Sequence, residues 1–278
     1  MSQFATVNGI RLHYLDYPGE HPTLVLMPGL TANARSFNGL IRAGLSPRFR
    51  VLALDLRGRG LSEKPASGYR MVDHANDVLG LLDTLGLKQV VLGGHSFGGL
   101  LSFYMASRYP EYISKLIILD AAGSIHPKVM ELIKPALDRL GKVLPSWDAY
   151  IKLVKQAPYW AGYWDEDVEH YYRADVRINA DGTVQSQSQP EAMVEAIRCA
   201  LDEPWDEHIA AIQQPVLLLN APGPYGPVGT PPLLPRENAL ATVKALTNAH
   251  YVEIPGNHVT MLFGEGSKQT VRAITAFL

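Results

Sequence analysis

Cysteine is almost absent from this chain. Cys199 stands alone among 278 residues, so no internal disulfide can form, and a reducing compartment suits the sequence. Long apolar runs are missing as well; none approaches the roughly 20 residues that span a bilayer. The opening Met1-Ser2-Gln3-Phe4 carries neither the basic nor the apolar stretch of a secretory leader. A cytoplasmic protein without a membrane span is therefore expected. Charge of one sign is lacking too: 25 Lys and Arg stand against 27 Asp and Glu, a net of −2, which gives no bulk attraction to nucleic acid or an anionic surface. Metal-ligand spacings such as C-x-x-C and H-E-x-x-H are absent, as are a lysine-bearing phosphate loop and any internal repeat. No cofactor or metal is expected.

What is present is a large apolar core in the making, with 47% apolar residues in a chain long enough for one sizeable domain. Strand and helix signals alternate. Strands are expected at 4–7 and 10–17, flanking the hairpin pair Asn8-Gly9, and at 23–27, 49–54, 89–93, 114–119, 215–219 and 250–254. Helical spacing covers 33–45, 71–85, 236–246 and 267–278. Short continuous apolar strands separated by helices imply a mostly parallel sheet covered on both faces. Residues 121–212 break the alternation. They hold all four tryptophans, and Ala157-Pro158-Tyr159-Trp160-Ala161-Gly162-Tyr163-Trp164 is their densest stretch. This segment reads as a helical cap inserted after the sixth strand, walling an apolar pocket, with Tyr159, Trp160 and Trp164 as candidate substrate contacts. The expected division is a core of 1–121 and 213–278 with a cap of 122–212.

The richest signal is Val90-Val91-Leu92-Gly93-Gly94-His95-Ser96-Phe97-Gly98-Gly99. An apolar strand stops at a serine with glycines at both second neighbours, and helix-forming residues follow. This is the G-x-S-x-G nucleophile elbow, in which a strained turn lifts the serine hydroxyl above the sheet edge. A side chain at Gly94 or Gly98 is expected to collide with neighbouring backbone. A serine needs a base to take its proton, and an imidazole titrates in the right range. Of nine histidines, His258 in Gly256-Asn257-His258 is the best placed. His95 is expected to point away from Ser96 and pack beside the sheet. His126, His170 and His208 fall in the cap and read as solvated, and the remaining histidines have no motif around them.

Four motifs in order carry a resemblance to the α/β-hydrolase superfamily over essentially the whole chain. They are Gly94-His95-Ser96-Phe97-Gly98, Asp55-Leu56-Arg57-Gly58-Arg59-Gly60-Leu61-Ser62, the turn Met27-Pro28-Gly29-Leu30 and Gly256-Asn257-His258. The resemblance implies an α/β fold: a mostly parallel eight-stranded sheet flanked by helices. It further implies an oxyanion hole from the N–H groups of Leu30 and Phe97. The family turn usually begins His-Gly, and Pro28-Gly29 replaces it here. The 55–62 run is expected to be architectural, with Arg57 holding a loop.

The acid is where the chain departs from the family pattern. It usually follows the strand at 215–219, yet Asn220 to Thr230 contains no carboxylate. Glu237 reads as an ordinary helix opener. Asp120, ending the strand beside the elbow strand about 4.8 Å away, is the best substitute, and certain dehalogenases and lactone hydrolases carry the acid there. Glu203, Asp202 and Asp206 are weaker rivals.

These features imply a serine hydrolase of carboxylic esters or lactones, with Ser96 as nucleophile, His258 as base and Asp120 as orienting acid. The partner expected is a small hydrophobic ester. Two other readings stay open. A cofactor-free oxygenase branch of the fold shares the Pro-Gly turn and the acid position but carries a histidine where this chain has Phe97. A slow-turnover ligand receptor would keep the same triad. The substrate and the oligomeric state are not legible.

Overall fold

The computed structural model describes residues 1–160 and 162–278. The chain opens with an antiparallel hairpin of β1 (Ser2–Val7) and β2 (Ile10–Tyr17). Asn8 and Gly9 between them take φ of 47° and 75°, the positive pair that a type I′ turn demands. There follow β3 (Leu24–Met27), β4 (Val51–Leu54), β5 (Val90–His95) and β6 (Ile113–Leu119). Every residue of β3, β4 and β5 is buried, which is why they read as continuous apolar runs rather than alternating ones. Two short strands, β7 (Val176–Ile178) and β8 (Val184–Ser186), pair with each other, and Val184 also bridges to Leu144. The sheet is completed by β9 (Val216–Asn220) and β10 (Ala249–Glu253).

The eight-stranded sheet runs β1-β2-β4-β3-β5-β6-β9-β10, and every pairing from β4 to β10 is parallel. From β3 the chain steps out to β4, then crosses back to β5 on the other flank of β3. The connections leaving β3 and β5 therefore part in opposite directions, and a crevice opens at their carboxyl ends, where ligands bind in open α/β sheets. Met27 at the end of β3 pairs with Gly94 near the end of β5, so the turns that follow are neighbours.

Helices flank the sheet at Met71–Thr84, Phe97–Arg108, Arg236–Ala245 and Gly264–Phe277. The helix expected over 33–45 is instead a 3-10 turn at Ala34–Phe37, one α turn at Asn38–Leu40 and a wide turn at Ile41–Leu45. Gly44 at φ 100° ends the run.

Residues 121–212 hold helices at Trp147–Lys155, Glu166–Asp175, Pro190–Leu201 and Trp205–Ala211, besides the β7–β8 ribbon. A buried ionic knot fastens this segment to the turn after β3. Arg139 donates to Asp175 Oδ2 at 3.2 Å and to the Thr31 carbonyl at 3.3 Å, and the Tyr150 hydroxyl donates to the same Asp175 oxygen. Among the described residues, no helix is long and apolar enough to cross a membrane.

Candidate active site

Four turns at the carboxyl edge build the site. The tightest follows β5. Ser96 sits at φ 54°, ψ −117°, a conformation that a non-glycine residue keeps only when its surroundings enforce it. The glycines around it are a steric necessity. A Cβ on Gly94 would lie 2.2 Å from the Gly98 carbonyl carbon, and one on Gly98 would lie 2.0 Å from the Met27 carbonyl oxygen. Backbone from β3, β5 and the following helix is thus packed closer than any side chain allows. Ser96 Oγ has no hydrogen-bond partner among the described residues, and it lines a cavity of about 150 Å³ together with His258 and Asp120.

His258 reaches the same cavity from the loop after β10. Asn257 shapes that loop. Its Oδ1 accepts from the N–H groups of Val259 and Thr260, both at 3.0 Å, and its Nδ2 donates to the carbonyls of Tyr159 at 2.8 Å and Pro224 at 3.1 Å. One asparagine thereby ties the histidine loop to the 121–212 segment and to the loop after β9. The sequence reading used Asn257 only as part of a motif; its buried polar neighbours lie 33 to 98 positions away.

The His258 ring is gripped on several sides. Nδ1 lies 2.7 Å from Asp120 Oδ2. Asp120 follows directly on β6 at φ 52°, and its other oxygen accepts from Asn220 Nδ2 at 2.8 Å and the Ala221 N–H at 2.7 Å. A carboxylate facing Nδ1 is met by an N–H, so the bare ring nitrogen is Nε2. Tyr225 meets the ring edge-on at 5.6 Å, and Tyr159 stacks on Tyr225 at 5.3 Å. Asn220 stands at the end of the strand after which the family places its acid. Here it donates to a carboxylate rather than being one, and its Oδ1 accepts from the Tyr251 hydroxyl at 2.9 Å.

His95 does not pack away beside the sheet. Its ring lies 4.4 Å from that of His258, and its Nε2 donates to the His258 carbonyl at 2.6 Å. The carbonyl fixes the tautomer, leaving Nδ1 bare beside Gly29 and without a partner among the described residues. Burial, and then the neighbouring His258, push the His95 imidazole well below the usual histidine range, so it stays neutral. The histidines of residues 121–212 also differ from expectation in part. His208 is buried, bonding Ser107 Oγ at 2.8 Å and Glu203 at 2.9 Å, which removes Glu203 from the neighbourhood of His258. His126 lines the cavity rim, and His170 is half-exposed beside Glu166.

Leu30 and Phe97 sit on the cavity wall, and neither N–H has a hydrogen-bond partner among the described residues. The Gly29 carbonyl accepts from the Ala32 N–H at 3.1 Å. That bond fixes the peptide plane to which the Leu30 N–H belongs. The Asp55–Ser62 run is a bracket around these turns. Arg57 forks onto Asp77 with two bonds of 2.6 Å and reaches the Gly68 carbonyl. Asp55 accepts from the Ala34 N–H at 2.7 Å and lies 2.7 Å from His13 Nδ1, a partner that no motif revealed.

Aromatic side chains close the cavity from above. Tyr159 and Trp160 line it, joined by Tyr171, Tyr172 and Tyr225. Trp164 does not: it lies behind this layer, stacked on Tyr172 at 5.7 Å with an interplanar angle of 5°. The Trp160 Nε1 donates to the Tyr172 hydroxyl at 3.0 Å, so the ring that faces the cavity is the one with its polar edge satisfied.

Comparison with known proteins agrees with this architecture. The chain is 34% identical over 136 residues to 2-(acetamidomethylene)succinate hydrolase of Mesorhizobium japonicum, covering 48% of this chain and 49% of that protein. Across the curated relatives it matches, the alignment spans about a third to a half of their length. Among solved structures, E-2-(acetamidomethylene)succinate hydrolase superimposes with a TM-score of 0.86 at 23% identity, covering 100% of this chain and 98% of that one. The enol-lactonase from Burkholderia xenovorans LB400 follows at 0.76 and 23%, covering 99% of each. The model of the alpha/beta hydrolase fold matches residues 22–265, the span from the start of β3 to the helix after His258. A sheet order that sets four turns on one edge, a strained elbow serine and this match lead to one conclusion: the chain belongs to the α/β-hydrolase family.

Proposed function

We propose that the chain is a serine hydrolase of small hydrophobic carboxylic esters, lactones included, working through an acyl-enzyme. The observation that carries this reading is the strained Ser96 facing a cavity shared with His258, whose Nδ1 is bonded to the buried Asp120. In the proposed cycle His258 Nε2 takes the Ser96 proton as Oγ attacks the ester carbonyl. Asp120 keeps the imidazole in the tautomer that can do so and stabilises the imidazolium. The oxygen of the tetrahedral intermediate is held by the Leu30 and Phe97 N–H groups. His258 then returns its proton to the leaving alcohol, and water repeats the sequence on the acyl-enzyme, releasing acid and free serine.

In this reading residues 122–212 are a cap over a core of 1–121 and 213–278, with Tyr159 and Trp160 as the cap's substrate contacts. Trp164 supports them from behind. An apolar cavity of about 150 Å³ suits an acyl or alcohol group of roughly one aromatic ring, since an engineered cavity of about that size takes benzene.

The test is a series of p-nitrophenyl esters of increasing acyl length beside a set of lactones. Ser96→Ala is expected to fold yet lose nearly all turnover, and a fluorophosphonate is expected to label wild type alone. Substantial hydrolysis by Ser96→Ala, or none by wild type across the panel, would sink the proposal.

A further inference from the structure

Arg59 is fully buried at 0% exposure, yet it forms no ion pair among the described residues. The other buried arginines are matched, Arg57 by Asp77 and Arg139 by Asp175. A guanidinium taken out of water without a counter-charge is a substantial cost to folding, and such a feature calls for an explanation. Its aromatic surroundings do not supply one: His74 and Tyr69 are neutral, and burial pushes His74 well below and Tyr69 up from their usual ranges. Nη2 has no partner among the described residues.

What Arg59 touches is more telling. Its Nε donates to the Leu30 carbonyl at 2.6 Å, and its Nη1 to the Arg57 carbonyl at 2.7 Å. Its guanidinium carbon lies 4.9 Å from the centre of the Phe97 ring. One side chain therefore holds the backbone of Leu30 and the ring of Phe97, the two residues whose N–H groups are read above as the oxyanion donors. The geometry at Leu30 is closed on both sides. The plane carrying its N–H is fixed by Ala32 on the Gly29 carbonyl, and the next plane, carrying its carbonyl, is fixed by Arg59. With both planes held, the Leu30 N–H, which has no partner among the described residues, keeps one orientation on the cavity wall. The turn has Pro28 where the family carries a histidine, so it has no polar side chain of its own at that position to brace it.

Resting on the serine-hydrolase reading, we propose that Arg59 is the positioning residue of the oxyanion hole, locking the Leu30 turn and seating Phe97 from behind. Only arginine holds Nε and Nη1 on different edges of one rigid plane, so that each meets its own carbonyl while a face lies on a ring. The preorganised donors then need no rearrangement when negative charge develops on the substrate oxygen. The contribution is confined to the tetrahedral stage, because the ground-state ester binds in the aromatic cavity that Arg59 does not line.

The experiment compares Arg59→Met, Arg59→Gln and Arg59→Lys in the full chain. Folding is checked by circular dichroism, and active sites are counted by fluorophosphonate titration. Each variant is then measured for kcat and KM on a short p-nitrophenyl ester and for inhibition by a phenylboronic acid, which forms a tetrahedral adduct on serine. Removing one oxyanion donor outright costs about 10²–10³ in kcat, so displacing one is expected to cost roughly 10–10² in Arg59→Met, per titrated site. KM stays within about threefold, and boronate affinity falls in step with kcat. Arg59→Lys keeps the charge and one donor and recovers part of the loss. If Arg59→Met does not fold, Arg59→Gln, which keeps one donor and lacks the charge, is read in its place. A folded neutral variant with wild-type kcat per titrated site overturns the role of Arg59. So does one whose KM rises while kcat holds. A wild type inactive on every ester overturns the hydrolase reading instead.

Discussion

Replacing Asp120 by asparagine tests the proposed base and its proposed orienting acid at one atom. The substitution keeps the shape, and asparagine tolerates the positive φ of 52° found there. The structure also dictates how the new amide lies. Oδ1 of Asp120 faces two donors, Asn220 Nδ2 at 2.8 Å and the Ala221 N–H at 2.7 Å, while Oδ2 faces His258 Nδ1 at 2.7 Å. The amide oxygen must take the site of Oδ1, because an NH₂ there would confront two donors. The NH₂ then points at His258 Nδ1, which must become an acceptor. The imidazole proton moves to Nε2, and Nε2 can no longer receive the proton of Ser96.

Recovering the working tautomer means flipping the amide and leaving two buried donors unpaired, at about 1–3 kcal/mol each. The sum, roughly 2–6 kcal/mol, corresponds to about a 30-fold to more than 10⁴-fold loss of competent enzyme. The analogous change in a serine protease costs about 10⁴. We expect kcat of Asp120→Asn to fall by about 10²–10⁴ with KM within threefold, and fluorophosphonate labelling to slow in proportion. Nitrogen-15 NMR of the imidazole is expected to show the proton on Nδ1 in wild type and on Nε2 in the variant. A folded Asp120→Asn with kcat within tenfold of wild type, or with Nδ1 still protonated, would refute the reasoning.

Gly98→Ala would set a methyl 2.0 Å from the Met27 carbonyl; we expect a cost on the order of 3 kcal/mol or more and a Tm lower by at least about 6 °C. A Gly98→Ala protein melting with wild type would contradict the steric account of the elbow. His74 and His95 are both held neutral by burial, well below the usual histidine range, so the folded chain binds fewer protons than the unfolded one. Stability is therefore intact above pH about 6.5 and is lost as pH falls below it, by up to about 1.4 kcal/mol per pH unit for each histidine. Urea unfolding of His74→Phe between pH 6 and 5 is expected to show a slope shallower by about that amount; equal slopes would count against it. Trp160→Leu is expected to shift the acyl-length optimum toward longer chains, whereas Trp164→Leu leaves it in place, because only Trp160 lines the cavity. An equal shift in both would place the wall elsewhere.

Much of this protein was determined locally. The hairpin needed only Asn8-Gly9 and its positive dihedrals. The parallel strands announced themselves because burial on both faces demands unbroken apolar runs. The elbow could be read because its pattern fits within ten residues and Gly94 answers to Gly98, although the Met27 carbonyl that excludes a side chain at Gly98 comes from β3. The candidate acid could be narrowed to Asp120 by an absence, the lack of any carboxylate from Asn220 to Thr230, together with the adjacency of two strands. The contacts themselves belong to tertiary structure. That Asn220 and Ala221 fill one Asp120 oxygen, leaving the other for His258, depends on β6 and β9 being neighbours at matched register. That His95 braces the His258 loop and that Arg59 grips Leu30 join residues distant in sequence, and that Trp164 stands behind Trp160, four residues away, is a matter of side-chain direction. Periodicity reports which face of an element is apolar. It carries no information on which polar atom, brought in from a loop tens of residues away, will satisfy a buried partner, and only the packed fold decided that.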